Sequence, residues 1–308
     1  MLTNVASERV KRVRRLARRS ARLETGELLV EGPQACREAA LAGLVLDVYL
    51  TADAAGRHPE IIAATLASGG HPHEASAEYV RAISPDAQGV AARARDPWAG
   101  WTVSSAVAGR EAPESDAGLG GAGRRGLNPA GCGLPEPGLG GAVDPDPPGG
   151  QSAPQLVAVL EQLRDPGNAG TVIRAADAAG ADLVVFADQS VDPAAPKVIR
   201  ASAGSYFHVP VAQAASVEEA VQQLRPAGLA ILAADGAGEE ALDRAALGQP
   251  TAWLFGNEAR GLSAAARAAA DQSVRIEIYG RAESLNVAMA ATLCLYASAE
   301  ALRNGDGT

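Results

Sequence analysis

Short apolar runs alternate with stretches of helical period along most of this chain, the pattern of strands alternating with helices. Ser7 to Arg22 places Val10, Val13, Leu16 and Ala17 at helical spacing with arginines on the other faces, which predicts one helix broken at Gly26. Glu27 to Glu31, Leu44 to Leu50 and Val90 to Arg95 read as strands, and Pro33 to Ala42, Pro59 to Ala67 and Ala77 to Ile83 as helices. Residues 1–102 are therefore expected to form a small α/β domain. A second α/β domain is expected over 154–308. Its strands are read at Leu156 to Leu160, Ala181 to Phe186, Val209 to Val211, Leu229 to Ala233, Ala252 to Phe255 and Val274 to Ile278. Helices are expected at Thr171 to Gly180, Ser216 to Leu224 and from Val287 onward, with a helix-like stretch at Lys197 to Gly204. Asp165 to Asn168 and Asp235-Gly236 read as turns. Two units put polar residues at the carboxyl end of a strand: Gly256-Asn257-Glu258 after the first, Gly280 to Asn286 after the second. In an open parallel sheet that edge is where ligands bind.

Between the domains the composition changes. Residues 109 to 150 hold 13 Gly and 7 Pro among 42. Such a segment buries too little apolar surface to offset its ordering entropy, so 103–153 is expected to be a disordered linker or insertion. Its G-L-G-G-A-G run, Gly118 to Gly123, matches a dinucleotide-binding fingerprint only formally, because no strand precedes it and no helix follows.

Cys36, Cys132 and Cys294 stand far apart, which points to a reducing cytoplasm and to no disulfide framework or zinc knuckle. His71-Pro72-His73 lacks a nearby third ligand, so a surface turn is expected there, and no metal. No run of 18 apolar residues suggests a membrane span, and no apolar region follows the basic N-terminus as a secretory signal requires. The net charge is −9, yet residues 1 to 25 carry Arg9, Lys11, Arg12, Arg14, Arg15, Arg18, Arg19 and Arg22 against only Glu8 and Glu24. Arginine forks pair with phosphate oxygens and stack on bases, so this segment is a candidate RNA contact. The other reading is a solvated basic helix against the protein's own acidic surface.

Three motifs carry a resemblance. Leu163 to Asp182 (L-R-D-P-G-N-A-G-T-V-I-R-A-A-D-A-A-G-A-D), Phe255 to Ser263 (F-G-N-E-A-R-G-L-S) and Glu283 to Ala288 (E-S-L-N-V-A) resemble, in order, the signatures of the SpoU (TrmH-like) RNA 2'-O-ribose methyltransferases of the SPOUT superfamily. Leu23 to Pro33 (L-E-T-G-E-L-L-V-E-G-P) is similar to the substrate-binding domain of that family, itself like ribosomal protein L30e. The resemblance implies a C-terminal parallel-sheet domain tied in a trefoil knot, a homodimer with the site near the interface, and S-adenosylmethionine as methyl donor. The sequence departs at Ile276-Glu277-Ile278-Tyr279, where relatives often have Pro-Met before the glycine. Tyr279 would change the wall of the cofactor pocket.

By that resemblance the cofactor is held by Phe255, Gly256, Asn257, Gly261, Ile276, Ile278, Gly280, Ser284, Leu285 and Asn286, with glycines allowing close backbone approach. The catalytic set is Arg174, Asn168, Glu258, Ser284 and Asn286. Arg174 would activate the ribose hydroxyl, but a guanidinium stays charged and is a poor proton acceptor. A substrate phosphate taking the proton while Arg174 orients and neutralises is the sounder assignment. Two alternatives stand beside these roles: an Arg174–Asp177 salt bridge, and Asn286 as a helix N-cap. The expected activity is 2'-O-methylation of RNA in the cytoplasm, ribosomal RNA ahead of transfer RNA. The contrasting reading is an RNA-binding homologue without catalysis.

Overall fold

The computed structural model describes residues 1–108 and 153–305. The linker expected from residue 109 on, with Cys132 and the G-L-G-G-A-G run, lies outside the described residues. The expected first helix is two, α1 (Glu8–Arg15) and α2 (Arg19–Thr25). Ser7 caps α1 by accepting the Val10 N–H. The chain then tightens, with Leu16, Ala17 and Arg18 each bonding three residues back. Arg18 is extended, which buries Leu16 and breaks the helix. Gly26 ends α2 in the left-handed conformation at φ 64°.

Next come β1 (Glu27–Glu31), α3 (Pro33–Leu41), β2 (Val45–Leu50), α4 (Ala52–Arg57), α5 (Pro59–Ala67), β3 (His71–Glu74), α6 (Ala77–Ile83) and β4 (Val90–Arg95). The sheet order is β1-β4-β2-β3, antiparallel except for β2 with β3. His71-Pro72-His73 is thus an edge strand, not a turn. An edge tolerates Pro72, which has no N–H to give, and His73 pairs with Asp47 at 2.9 Å.

A short helix, α7 (Val103–Val107), follows within the expected linker. It docks on the second domain through buried Val103 and a bond from Ser104 N to Gln223.

The second domain runs β5 (Leu156–Glu161), α8 (Pro166–Ala179), β6 (Leu183–Ala187), α9 (Pro196–Ala201), β7 (Val211–Gln213), α10 (Val217–Leu224), β8 (Ala230–Ala234), β9 (Glu240–Ala241), β10 (Thr251–Phe255), α11 (Ala264–Ala269), β11 (Gln272–Arg275) and α12 (Val287–Gly305). Its strands pair in parallel in the order β7-β6-β5-β10-β8-β11-β9. The inner strands β5, β6 and β10 are buried on both faces, which is why they read as unbroken apolar runs. Trp253 stacks on Phe255 and donates to Ser298 of α12 at 2.9 Å. Helix α8 starts at Pro166 rather than Thr171. Asp165 caps it by accepting the Asn168 N–H at 2.7 Å, and proline suits the first helical position. Strand β11 stops at Arg275, short of Ile278, because its partners β8 and β9 run out there.

One apolar core passes through both domains, from Leu28, Val30 and Ala35 to Tyr206 and Phe207. Polar ties cross the same interface. Arg22 pairs with Asp192 at 2.5 Å, Arg200 with Glu31 at 2.7 Å, and Trp98 Nε1 donates to the Tyr206 carbonyl at 2.6 Å. Gly204, at φ 103°, lets the chains close up, since a Cβ there would meet Glu38 Cγ at 2.3 Å.

Candidate active site

Four loops leave the carboxyl edge of the parallel sheet side by side, after β5, β10, β8 and β11. The loop after β10 is closed on itself. Asn257 and Gly261 exchange both backbone hydrogen bonds, and a Cβ on Gly256 would lie 2.2 Å from Gly261 C and Leu262 N. Only glycine fits there. Gly261 sits at φ 67°. The loop is fastened to the one after β5: Asn257 Nδ2 donates to the Gln162 carbonyl at 2.8 Å, and buried Glu161 accepts the Ser263 N–H at 2.8 Å.

Asn168, in the first turn of α8, joins the three motifs. Its Nδ2 donates to Glu258 Oε1 at 3.1 Å, and its Oδ1 accepts Asn286 Nδ2 at 3.0 Å. Asn286 also accepts the Ala288 N–H at 2.9 Å, so it caps α12 while it reaches Asn168. Residues 118 positions apart in the chain thus meet at one point.

Beside this point lies a cavity of about 660 Å³. Phe255, Gly256, Asn257, Glu258, Gly261, Ile276, Ile278, Ser284, Leu285 and Asn286 line it. Gly280, Asn168 and Arg174 do not. Gly280 stands in open space, so no close approach there demands a glycine. Ala234, Asp235 and Gly236, at the end of β8, complete the wall. Asp235-Gly236 was legible as a turn. Its place in the site follows only from β8 lying beside β10. Burial raises the Asp235 carboxyl, but the Ala237 N–H and the Arg267 guanidinium outweigh it and hold the group below the usual carboxylate range.

Arg174 is exposed on α8 and has no hydrogen-bond partner among the described residues. Asp177 does not take it, being paired with His208 at 2.9 Å. Of the basic segment, Arg9, Lys11, Arg12, Arg14, Arg15, Arg18 and Arg19 are exposed. Arg22 departs from them. It is buried and spends its guanidinium on the Leu16 carbonyl and Asp192. The same contact, with Arg19 donating to Gln213 at 2.8 Å, seats the start of α2 at the ends of β6 and β7, on the cavity's edge of the sheet.

Comparison with known proteins places this arrangement. The family model described as the SpoU rRNA Methylase family matches residues 155–296. The domain belongs to the SpoU rRNA methylase family. A second model, the MRM3-like substrate binding domain, matches residues 7–92. The 23S rRNA (guanosine(2553)-2'-O)-methyltransferase RlmP of Bacillus subtilis is 36% identical over 143 residues, 46% of this chain and 56% of that protein. The 23S rRNA (uridine(2479)-2'-O)-methyltransferase of Streptomyces viridochromogenes is 39% identical over 146 residues, 46% of this chain and 51% of that protein. The chain thus spans about half the length of these curated relatives. The crystal structure of the SpoU methyltransferase AviRb from Streptomyces viridochromogenes with AdoMet superposes at a TM-score of 0.68, with 25% identity, covering 98% of this chain and 100% of that one. The cavity described above lies within this chain's SpoU domain.

Proposed function

We propose that the chain transfers the methyl group of S-adenosylmethionine to a ribose 2'-hydroxyl of RNA, ribosomal RNA ahead of transfer RNA. The observation that carries this is the Glu258–Asn168–Asn286 junction, which brings all three motif loops to the rim of one cavity. The names of the relatives, which act on 23S rRNA, support the choice of RNA.

The cavity suits the cofactor. Its volume falls within the roughly 300–1,000 Å³ of small-molecule sites, and Phe255, Ile276, Ile278 and Leu285 offer an apolar bed for an adenine. Asp235, Glu258, Glu277 and Glu283 put negative charge around a cationic sulfonium. When bound, the cofactor supplies an electrophilic methyl group. The chain's part is positional. Asn168 holds Glu258 and Asn286 in fixed geometry, and ordered polar groups at the reacting centre supply rate through orientation. Arg174 orients and neutralises a substrate phosphate, which takes the hydroxyl proton.

The reading includes a homodimer and a trefoil knot. Met289, Leu293 and Tyr296 form an exposed apolar stripe on α12. Tyr296 reaches the Ala178 carbonyl on α8, and Thr171, Arg174 and Ala178 continue the exposed face there. A dimer through this face would put Arg174 at the interface, which accounts for its not lining the cavity of its own chain. The knot rests on the family resemblance, with which the order β5-β10-β8, a later strand between two earlier ones, is compatible.

The test is transfer of labelled methyl from S-adenosylmethionine to unmodified bacterial RNA, fractionated afterwards. Label in one ribosomal fraction is expected. Label in transfer RNA alone overturns the substrate, and no label in any fraction removes the enzymatic reading.

A further inference from the structure

Next to the cofactor cavity, and sharing its Asn257–Ala259 wall, is a second, shallower basin of about 650 Å³ lined by Arg164, Asp165, Asn257, Glu258, Ala259 and Arg260. We propose that this basin seats a phosphodiester of the RNA strand, gripped between Arg164 and Arg260. The ligand's identity as RNA rests on the methyltransferase reading; the anion-binding chemistry rests on the basin itself.

Arg164 ends the loop after β5 and Arg260 lies in the loop after β10, so neighbouring strands bring them to the two sides of one depression. Both are exposed. Arg164 has no hydrogen-bond partner among the described residues. Arg260 is held at its tip: Nη2 donates to Gln162 Oε1 at 2.9 Å, which leaves Nε and Nη1 without a hydrogen-bond partner among the described residues. Gln162 is itself in the left-handed region, at φ 50°, a conformation that a residue with a Cβ adopts only when its surroundings impose it. Both of its peptide groups are held: the Gln162 N–H donates to the Ala187 carbonyl at 3.3 Å, and Asn257 Nδ2 donates to the Gln162 carbonyl. The backbone strain thus aims a side chain that aims an arginine. The two carboxylates of the basin are already engaged. Asp165 accepts the Asn168 N–H and Glu258 accepts the Asn168 amide; both keep their charge, so the arginines hold an anion against two fixed carboxylates, with Arg164 and Arg260 supplying all of the attraction.

Topology extends the argument. Arg19 and Arg22 are anchored to Gln213 and Asp192, beyond the ends of β7 and β6. The order β7-β6-β5-β10 then sets the basic segment, Arg164 and Arg260 along one edge of the sheet. Three strand spacings span about 14 Å. That is a track for a phosphate backbone which passes the mouth of the cofactor cavity.

The experiment compares Arg164→Gln, Arg260→Gln, the double variant and Arg164→Lys with the parent protein. A fluorescein-labelled single-stranded oligoribonucleotide of mixed sequence reports binding as salt is varied, and protein-free ribosomal RNA reports methyl transfer. Each Gln variant is expected to flatten the slope of log K against log salt by about 0.7, the share of one phosphate contact on a single strand. The double variant should raise KM for ribosomal RNA tenfold or more with S-adenosylmethionine affinity unchanged, and Arg164→Lys should keep the slope. Unchanged slope and KM would overturn the proposal. So would lost cofactor affinity, which would assign the arginines to the first cavity. If the parent protein transfers no methyl, the enzymatic reading fails, yet the salt slope still decides the basin.

Discussion

At the sheet edge, Glu258, Asn168 and Asn286 are joined by amide hydrogen bonds on the rim of a cavity; at the domain interface, Arg22 and Asp192 are joined by a charged bond beneath both domains. Both clusters connect segments more than 80 residues apart. They differ in what water does to them. Around Asn168 the partners stay hydrated, so breaking the bonds costs little in folding but loosens a site that must hold its geometry. Arg22 and Asp192 have side-chain exposures of 5% and 14%, and a charge stranded there has little solvent to turn to. One cluster is therefore a device for positioning and the other a device for assembly.

The sharpest way to break that contrast is at Arg22. Arg22→Ala should cost about 3 kcal/mol of stability, because it leaves Asp192 without its close partner in a nearly dry site. Arg22→Met combined with Asp192→Leu should recover most of the loss, since neither charge then remains. Chemical denaturation of the three proteins measures both effects. A loss of only a few tenths in Arg22→Ala would return Arg22 to the solvated basic set.

Asn168→Ala should show the opposite signature. Methyl transfer is expected to fall about 100-fold, equivalent to about 2.7 kcal/mol in the barrier. Folding stability should move by about 1 kcal/mol or less, the net worth of a typical hydrogen bond. Parallel kinetics and denaturation separate the two. Equal losses in both would make Asn168 a structural residue.

Why one cluster was legible in the sequence and the other was not follows from the same contrast. The rim is built from local signals. Gly256 is required by a backbone collision within its own loop, and Asn168 and Asn286 each sit at the start of a helix that follows a strand. Apolar runs and glycines reveal such loops, while only the resemblance to the SpoU motifs singles out Asn168, Glu258 and Asn286 within them. Arg22 looks no different from Arg19 three positions earlier. What separates them is Asp192, 170 residues away, and no local pattern carries that. The split between α1 and α2 escapes local pattern for a related reason, as the extended Arg18 goes with burial of Leu16 in the tertiary core and no breaker residue marks it. Strand β3 was missed because Pro72 argues against a strand, and only its place at the edge of the sheet allows it. Asp235 carries a turn signal only, and its place in the cavity wall depends on the order of strands.

The smallest expected effect lies between the two extremes, at His208. Its Nδ1 meets Asp177 of α8 at 2.9 Å and its Nε2 lies 3.5 Å from Glu38 of α3, so it touches both domains, yet its side chain is 43% exposed. The hydrogen bond that His208 donates to Asp177, aided by the charges of Asp177 and Glu38 and opposed by burial, raises the imidazole pKa above its ordinary 6.5. Burial raises Asp177, but His208 and Ser205 outweigh it and the carboxyl ends below its ordinary value. A raised pKa means that the folded state binds the proton more tightly. The stabilisation from His208 is then complete below pH 6.5 and is lost as pH rises through the folded pKa. Asp177 works the other way: its contribution is present above its ordinary pKa of 3.8 and is lost as pH falls through the lower folded value. His208→Gln should therefore lower the unfolding midpoint at pH 6 and leave it nearly unchanged at pH 9. Half-exposed pairs of this kind are worth less than about 1 kcal/mol. A difference that stays constant from pH 6 to pH 9 would mean that His208 acts by packing, without its charge. A difference that vanishes by pH 9 would place it with the solvated rim, where water sets the size of each polar contact.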